Sequence, residues 1–99
     1  MEKLLKKIFL RLQKNTNDFQ VYEDLYYASM SSIDNDIKLA VLYLKKLSSA
    51  IESLMPQLHE ESDVKKFFEL HKKTLLLIAP YDFESYILYI EWNRDPKRK

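Results

Sequence analysis

The sequence predicts an all-α fold, a compact bundle of four to five mostly antiparallel helices. Three observations carry that prediction. Apolar residues recur at intervals of three and four along nearly the whole chain, the spacing of one face of a helix. Glycine is absent from all 99 residues, and most β architectures need it at tight turns while helices do not. Hydrophobic residues make up 46% and charged residues 31% of the chain, enough apolar surface to offset the ordering entropy that keeps polar chains unfolded. A chain of this length has room for one core, and burying roughly 60 to 70% of its unfolded surface suffices for cooperative folding.

The first helix is expected over residues 2–14. Leu4, Leu5, Ile8, Phe9 and Leu12 form its apolar stripe, with Lys3, Lys6, Lys7 and Arg11 opposite. Asn15, Thr16 and Asn17 interrupt it, and Asp18 is the expected N-cap of the second helix, residues 19–30, whose buried face reads Tyr22, Leu25, Tyr26 and Met30. Tyr22, Tyr26 and Tyr27 resemble a base-stacking set in composition. Their neighbours Glu23 and Asp24 repel phosphate, so the rings are expected on the core with wet hydroxyls.

Ser31 and Ser32 end that helix, and Asp34 or Asn35 is expected to cap the next. Residues 36–53 form the strongest helix, rich in Leu, Ala and Lys. Ile37, Ala40, Val41, Leu44, Leu47, Ala50, Ile51 and Leu54 make a face wide enough for a central helix. Pro56 ends it near Leu54 and Met55, because proline lacks the amide hydrogen and clashes with the preceding turn. Residues 57–61 read as a polar connection or one further turn.

Ser62 is the expected cap of the fourth helix, with Asp63 at the positive end of its dipole. Val64, Phe67, Phe68, His71, Leu75 and Ile78 line its apolar face, and residues 75–79 read as buried on all sides. Pro80 stops it. Asp82 caps the last helix, from Phe83 to about Trp92, with Asn93 as a polar stop and Arg94, Lys97, Arg98 and Lys99 as a basic tail. The helical domain is accordingly taken as residues 1–93, and residues 94–99 as a tail or the start of a linker.

The same composition narrows the chemistry. Without glycine the chain has no phosphate loop of the usual form, and without cysteine it has neither disulfides nor thiolate metal ligands. His59 and His71 stand twelve residues apart on different elements and form no His-x-x-x-His pair; no metal or other cofactor is expected. No serine sits in a glycine elbow, and no catalytic residue is assigned. A charge-interrupted start and the lack of an apolar run near the roughly 20 residues of a membrane span point to a soluble cytoplasmic protein.

Net charge is +1, unevenly distributed: residues 1–14 hold five basic and one acidic residue, and residues 15–36 hold five acidic and none basic. These opposed segments are expected to pair within the bundle or face water. Possible contacts to a partner or to nucleic acid gather at the C-terminal end: Tyr86, Tyr89, Trp92, Arg94, Lys97, Arg98 and Lys99, where cations and aromatic rings meet.

One stretch carries a resemblance. Ala79-Pro80-Tyr81-Asp82-Phe83-Glu84-Ser85-Tyr86 and Tyr89-Ile90-Glu91-Trp92-Asn93-Arg94-Asp95-Pro96-Lys97-Arg98 resemble the segment before the motor domain in large terminase subunits of tailed bacteriophages and prophages. Its most specific part is Glu91-Trp92-Asn93-Arg94. The resemblance covers about 20 of the 99 residues and implies a helical N-terminal portion that contacts the small terminase subunit, the portal or a neighbouring motor subunit. In that family a glycine-containing phosphate loop and a nuclease domain follow; these 99 residues hold no counterpart of either, so no ATPase or nuclease residue carries over. The alternatives are a free-standing helical interaction, inhibitor or immunity protein, and a nucleic-acid-binding domain.

Overall fold

A computed structural model describes the backbone of residues 2–94 and the side chains of residues 2–91. Five α-helices follow one another: α1 (Glu2–Lys14), α2 (Phe19–Ser31), α3 (Ile37–Leu54), α4 (Glu61–Ile78) and α5 (Phe83–Arg94), with a 3-10 turn at Met55–Gln57 after α3. Each helix packs on the next, and α1–α3 and α2–α4 contacts close the bundle. The Cα radius of gyration, 13.0 Å, equals the roughly 13 Å of a close-packed chain of this length.

The helix ends follow from local chemistry. The side chain of Asn15 folds back to donate from Nδ2 to the Arg11 carbonyl at 2.9 Å, a second donor to an oxygen that the Asn15 amide already reaches at 3.0 Å. Asp18 caps α2, accepting from the Gln20 amide at 3.1 Å. The cap of α3 is Asp36, whose Oδ1 accepts from the Leu39 amide at 3.1 Å; this corrects the expectation of Asp34 or Asn35. The reason is the turn at 32–35, in which the Asn35 and Asp36 amides both donate to the Ser32 carbonyl and carry the chain past Asp34 before the helix begins. Pro56 lies in the 3-10 turn, and α3 ends at Leu54.

Helix α4 starts at Glu61 with Glu60 in the cap position and no side-chain cap bond, so Ser62 is a helical residue and not the cap. Glu61 and Asp63 in the first turn supply charge to the dipole instead. Helix α5 runs past Asn93 to Arg94, so the polar stop falls inside the last turn. Arg94, placed in the tail by sequence, is therefore helical in backbone.

The core is one cluster: Leu5, Ile8 and Leu12 from α1; Val21, Tyr22, Leu25 and Tyr26 from α2; Tyr43, Leu44, Leu47, Ile51 and Leu54 from α3; Phe67, Leu70 and Ile78 from α4. Phe67 anchors it, with the Phe19 and Tyr22 rings edge-on at centroid distances of 5.0 and 4.9 Å, an arrangement that aligns ring edges with ring faces. Several expected core positions lie outside it. Leu4, Met30, Ile37 and Leu76 are exposed, and Leu77 and Ala79 are half-buried, so residues 75–79 are covered on one side only. Helix α5 contributes none of the described residues to this cluster.

Candidate interaction surface

The position of α5 is set by Asp82. Its Oδ2 accepts from the Ser85 amide at 3.1 Å and from the Ser85 hydroxyl at 2.7 Å, while Oδ1 faces Lys45 Nζ on α3 at 3.5 Å. One carboxylate thus caps the helix and fastens its start to a second element. The hydrogen bonds from Ser85 hold this carboxyl below its ordinary value of 3.8, with Lys45 adding to the same effect. Pro80 in the turn between the helices keeps α4 from continuing into α5.

Apolar residues run around all sides of α5, whereas its main neighbour is α4 alone. A helix of that character is ordinarily buried throughout. Here Ser85 is buried and Tyr89 and Ile90 are half-buried. Phe83 is 74% exposed, and Tyr86, Ile87 and Leu88 are exposed as well. The Phe83 and Tyr86 rings lie 6.4 Å apart, tilted by 37°. Tyr81 in the turn and Leu76 near the end of α4 are also exposed. These six large side chains near the C-terminal end are thus all left largely in water, the kind of exposed apolar surface that marks an interaction site when it is contiguous.

The C-terminal candidates therefore divide. Tyr86 lies on this outer face and Tyr89 is half-buried. Trp92 falls in the last turn of α5, its side chain and that of Arg94 outside the described residues, as are Lys97, Arg98 and Lys99 altogether. Phe83, the most exposed large apolar residue described, was not singled out by sequence as a contact residue. The available signal was the lack of any polar face along α5.

The tyrosines of α2 belong to the core. Tyr22 donates from its hydroxyl to the Thr16 carbonyl at 2.8 Å, so this hydroxyl is bound to the protein and not wet as expected. Burial pushes its phenol above the ordinary 10.0. Burial raises Tyr26 too, against the nearby Lys73, whose Nζ stands 5.2 Å from the Tyr26 ring centroid. Tyr27 alone of the three is exposed.

Inside the bundle, sequence reading missed a polar group. His71, expected at the core edge, is fully buried, and its Nε2 lies 2.8 Å from Ser48 Oγ and 3.4 Å from Glu52 Oε1. Serine, histidine and carboxylate all meet here, but serine and carboxylate share one ring nitrogen. In a catalytic triad the carboxylate orients the ring from the other nitrogen, and Ser48 is itself buried. The group joins α3 to α4 and offers no nucleophile to solvent. His59 is exposed in the connection before α4. Among the described residues no three His, Cys, Asp or Glu side chains gather as a metal site, and no helix is long and apolar enough to cross a membrane.

A concavity of about 740 Å³ between α1 and α3 has Phe9, Leu12, Ala50 and Leu54 in its lining, with Lys45 and Lys46 at its edge. Lys46 Nζ sits 5.1 Å above the Phe9 ring and covers part of the apolar surface. No protein-family model, curated protein or solved structure matches the chain.

Proposed function

We propose that this chain is a non-catalytic helical module that acts through protein–protein contact, with the outer face of α5 as its docking element. The observation that carries the reading is the exposure of Phe83, Tyr86, Ile87 and Leu88 on a helix that rests mainly on α4 and, among the described residues, adds nothing to the central core. Leaving such side chains in water forgoes roughly 25 cal/mol for each Å² that a partner would cover. The Asp82 cap and its Lys45 contact present this face in a fixed position, which lowers the ordering cost of docking.

The partner proposed is the packaging motor. Residues 79–98 resemble the segment that leads into the motor domain of phage large terminase subunits, and on that reading the module serves viral DNA packaging, with α5 and the residues after it as the junction. This finer part rests on the resemblance alone.

A photo-crosslinking amino acid at position 83 or 87, in the protein expressed in its native host, tests the proposal. Crosslinks to a terminase or portal protein, absent when the probe stands at Lys38 on α3, are the expected result. Crosslinks to an unrelated protein would leave a free-standing interaction or inhibitor protein. Equal labelling at all three positions would remove α5 as the docking element.

A further inference from the structure

The second surface with a chemical identity is on α1, and it is independent of α5. Lys3, Lys6, Lys7, Arg11 and Lys14 are all exposed, and with Leu10 they line one shallow face of the helix. Eleven residues separate Lys3 from Lys14, so the row is about 16 Å long. The expected pairing with the acidic second segment occurs at a single point, where Arg11 Nη1 meets Asp24 Oδ2 at 4.0 Å. Among the described residues no carboxylate comes within ion-pair distance of Lys3, Lys6, Lys7 or Lys14. Glu2 is the one acid on the helix.

We infer that this row of cations binds the phosphodiester backbone of a nucleic acid. A line of like charges along one rigid helix matches a polymer whose charges also lie in a line, and neutralising phosphates releases condensed counterions. An anionic membrane is a poorer match, because insertion uses an apolar helix face and that of α1, Leu5, Ile8 and Leu12, is built into the core. Only Leu4 and Leu10 remain outside. The contact reads backbone charge and carries no base specificity.

The test is fluorescence anisotropy of the full chain with labelled 20-nucleotide duplex DNA, single-stranded DNA and RNA, from 50 to 300 mM salt. With four phosphates neutralised, log Kobs for the duplex falls against log salt with a slope of about −3 to −4. Lys3→Glu/Lys7→Glu/Lys14→Glu lowers affinity at 50 mM salt at least tenfold and flattens the slope by about 2 to 3. Lys38→Glu/Lys65→Glu/Lys72→Glu carries the same change in net charge on other helices, and it lowers affinity less than threefold. Circular dichroism melts verify that both variants fold; if the α1 triple variant does not, the single Lys7→Glu substitution replaces it, with a threefold loss expected. No binding at 50 mM salt, equal loss in both triple variants, or equal affinity for polyglutamate or for anionic vesicles would overturn the inference. So would a loss confined to Lys97→Ala/Arg98→Ala/Lys99→Ala, which would assign the contact to the C-terminal tail.

Discussion

Ser48 Oγ on α3 lies 2.8 Å from His71 Nε2 on α4, a polar link between two fully packed helices. In a low-dielectric interior such a bond contributes more through the cost of breaking it than through the bond itself. Ser48→Ala is therefore expected to destabilise by about 1 to 2 kcal/mol, and His71→Ala by about 3 kcal/mol, since it adds a cavity and strands the serine hydroxyl. Glu52 is less committed, its side chain 44% exposed and 3.4 Å from the ring. Glu52→Gln should cost under about 1 kcal/mol. Urea unfolding of the three variants measures the order; a Glu52 effect as large as that of His71 would contradict it.

Asp82 gives a pH prediction with a definite sign. Its carboxyl is held below 3.8 in the folded protein by Ser85, with help from Lys45. A group depressed on folding stabilises at pH above its unfolded value, and that stabilisation disappears as pH falls through the folded value. Asp82→Ala should therefore cost about 1 kcal/mol at pH 7 through loss of the cap. The difference from wild type should hold down to about pH 4 and shrink below it. Thermal melts between pH 2.5 and 7 follow the gap; a gap that widened in acid would reverse the assigned sign.

The capping of α3 separates sequence reading from structure. Asp36 accepts from the Leu39 amide and Asp34 lies in the preceding turn, so Asp36→Ala should lower stability by about 1 kcal/mol. Asp34→Ala should fall within about 0.5 kcal/mol of wild type. Denaturant midpoints of the pair decide it, and a dominant effect at Asp34 would restore the original reading.

Why some features were legible and others not follows from the range of the forces involved. Asp18 and Asp82 as caps, Pro56 and Pro80 as stops, and the stripe Leu5, Ile8, Leu12 depend on interactions within about one helical turn, which spacing alone displays. Tyr43 is different: it is buried because Phe9 of α1 meets it edge-on at 6.2 Å, a contact between helices that no local pattern records. Ser48 and His71 were likewise invisible as a pair, being 23 positions apart. Leu76 was expected inside because its neighbours are apolar; it is exposed because nothing described covers that side of α4. The α5 surface was half legible, in its dense aromatic run but not in which rings face outward. Tyr86, a contact candidate, is exposed, and so is Phe83, which sequence did not single out.

The two phenylalanines Phe67 and Phe83 offer the sharpest comparison, since identical side chains occupy opposite environments. Phe67 is 1% exposed and holds the Phe19 and Tyr22 rings edge-on. Phe67→Ala should cost about 3 to 5 kcal/mol, a large share of the roughly 5 to 15 kcal/mol available to a domain. Phe83 stands on the outer face of α5, 74% exposed, and is not a member of the core cluster. Phe83→Ala should leave the denaturant midpoint within about 0.5 kcal/mol of wild type while weakening partner crosslinking from position 87. The same substitution would thus weaken the fold at one site and the contact at the other. If Phe83→Ala instead destabilised the isolated chain as strongly as Phe67→Ala, α5 would be part of the core and the docking proposal would fail.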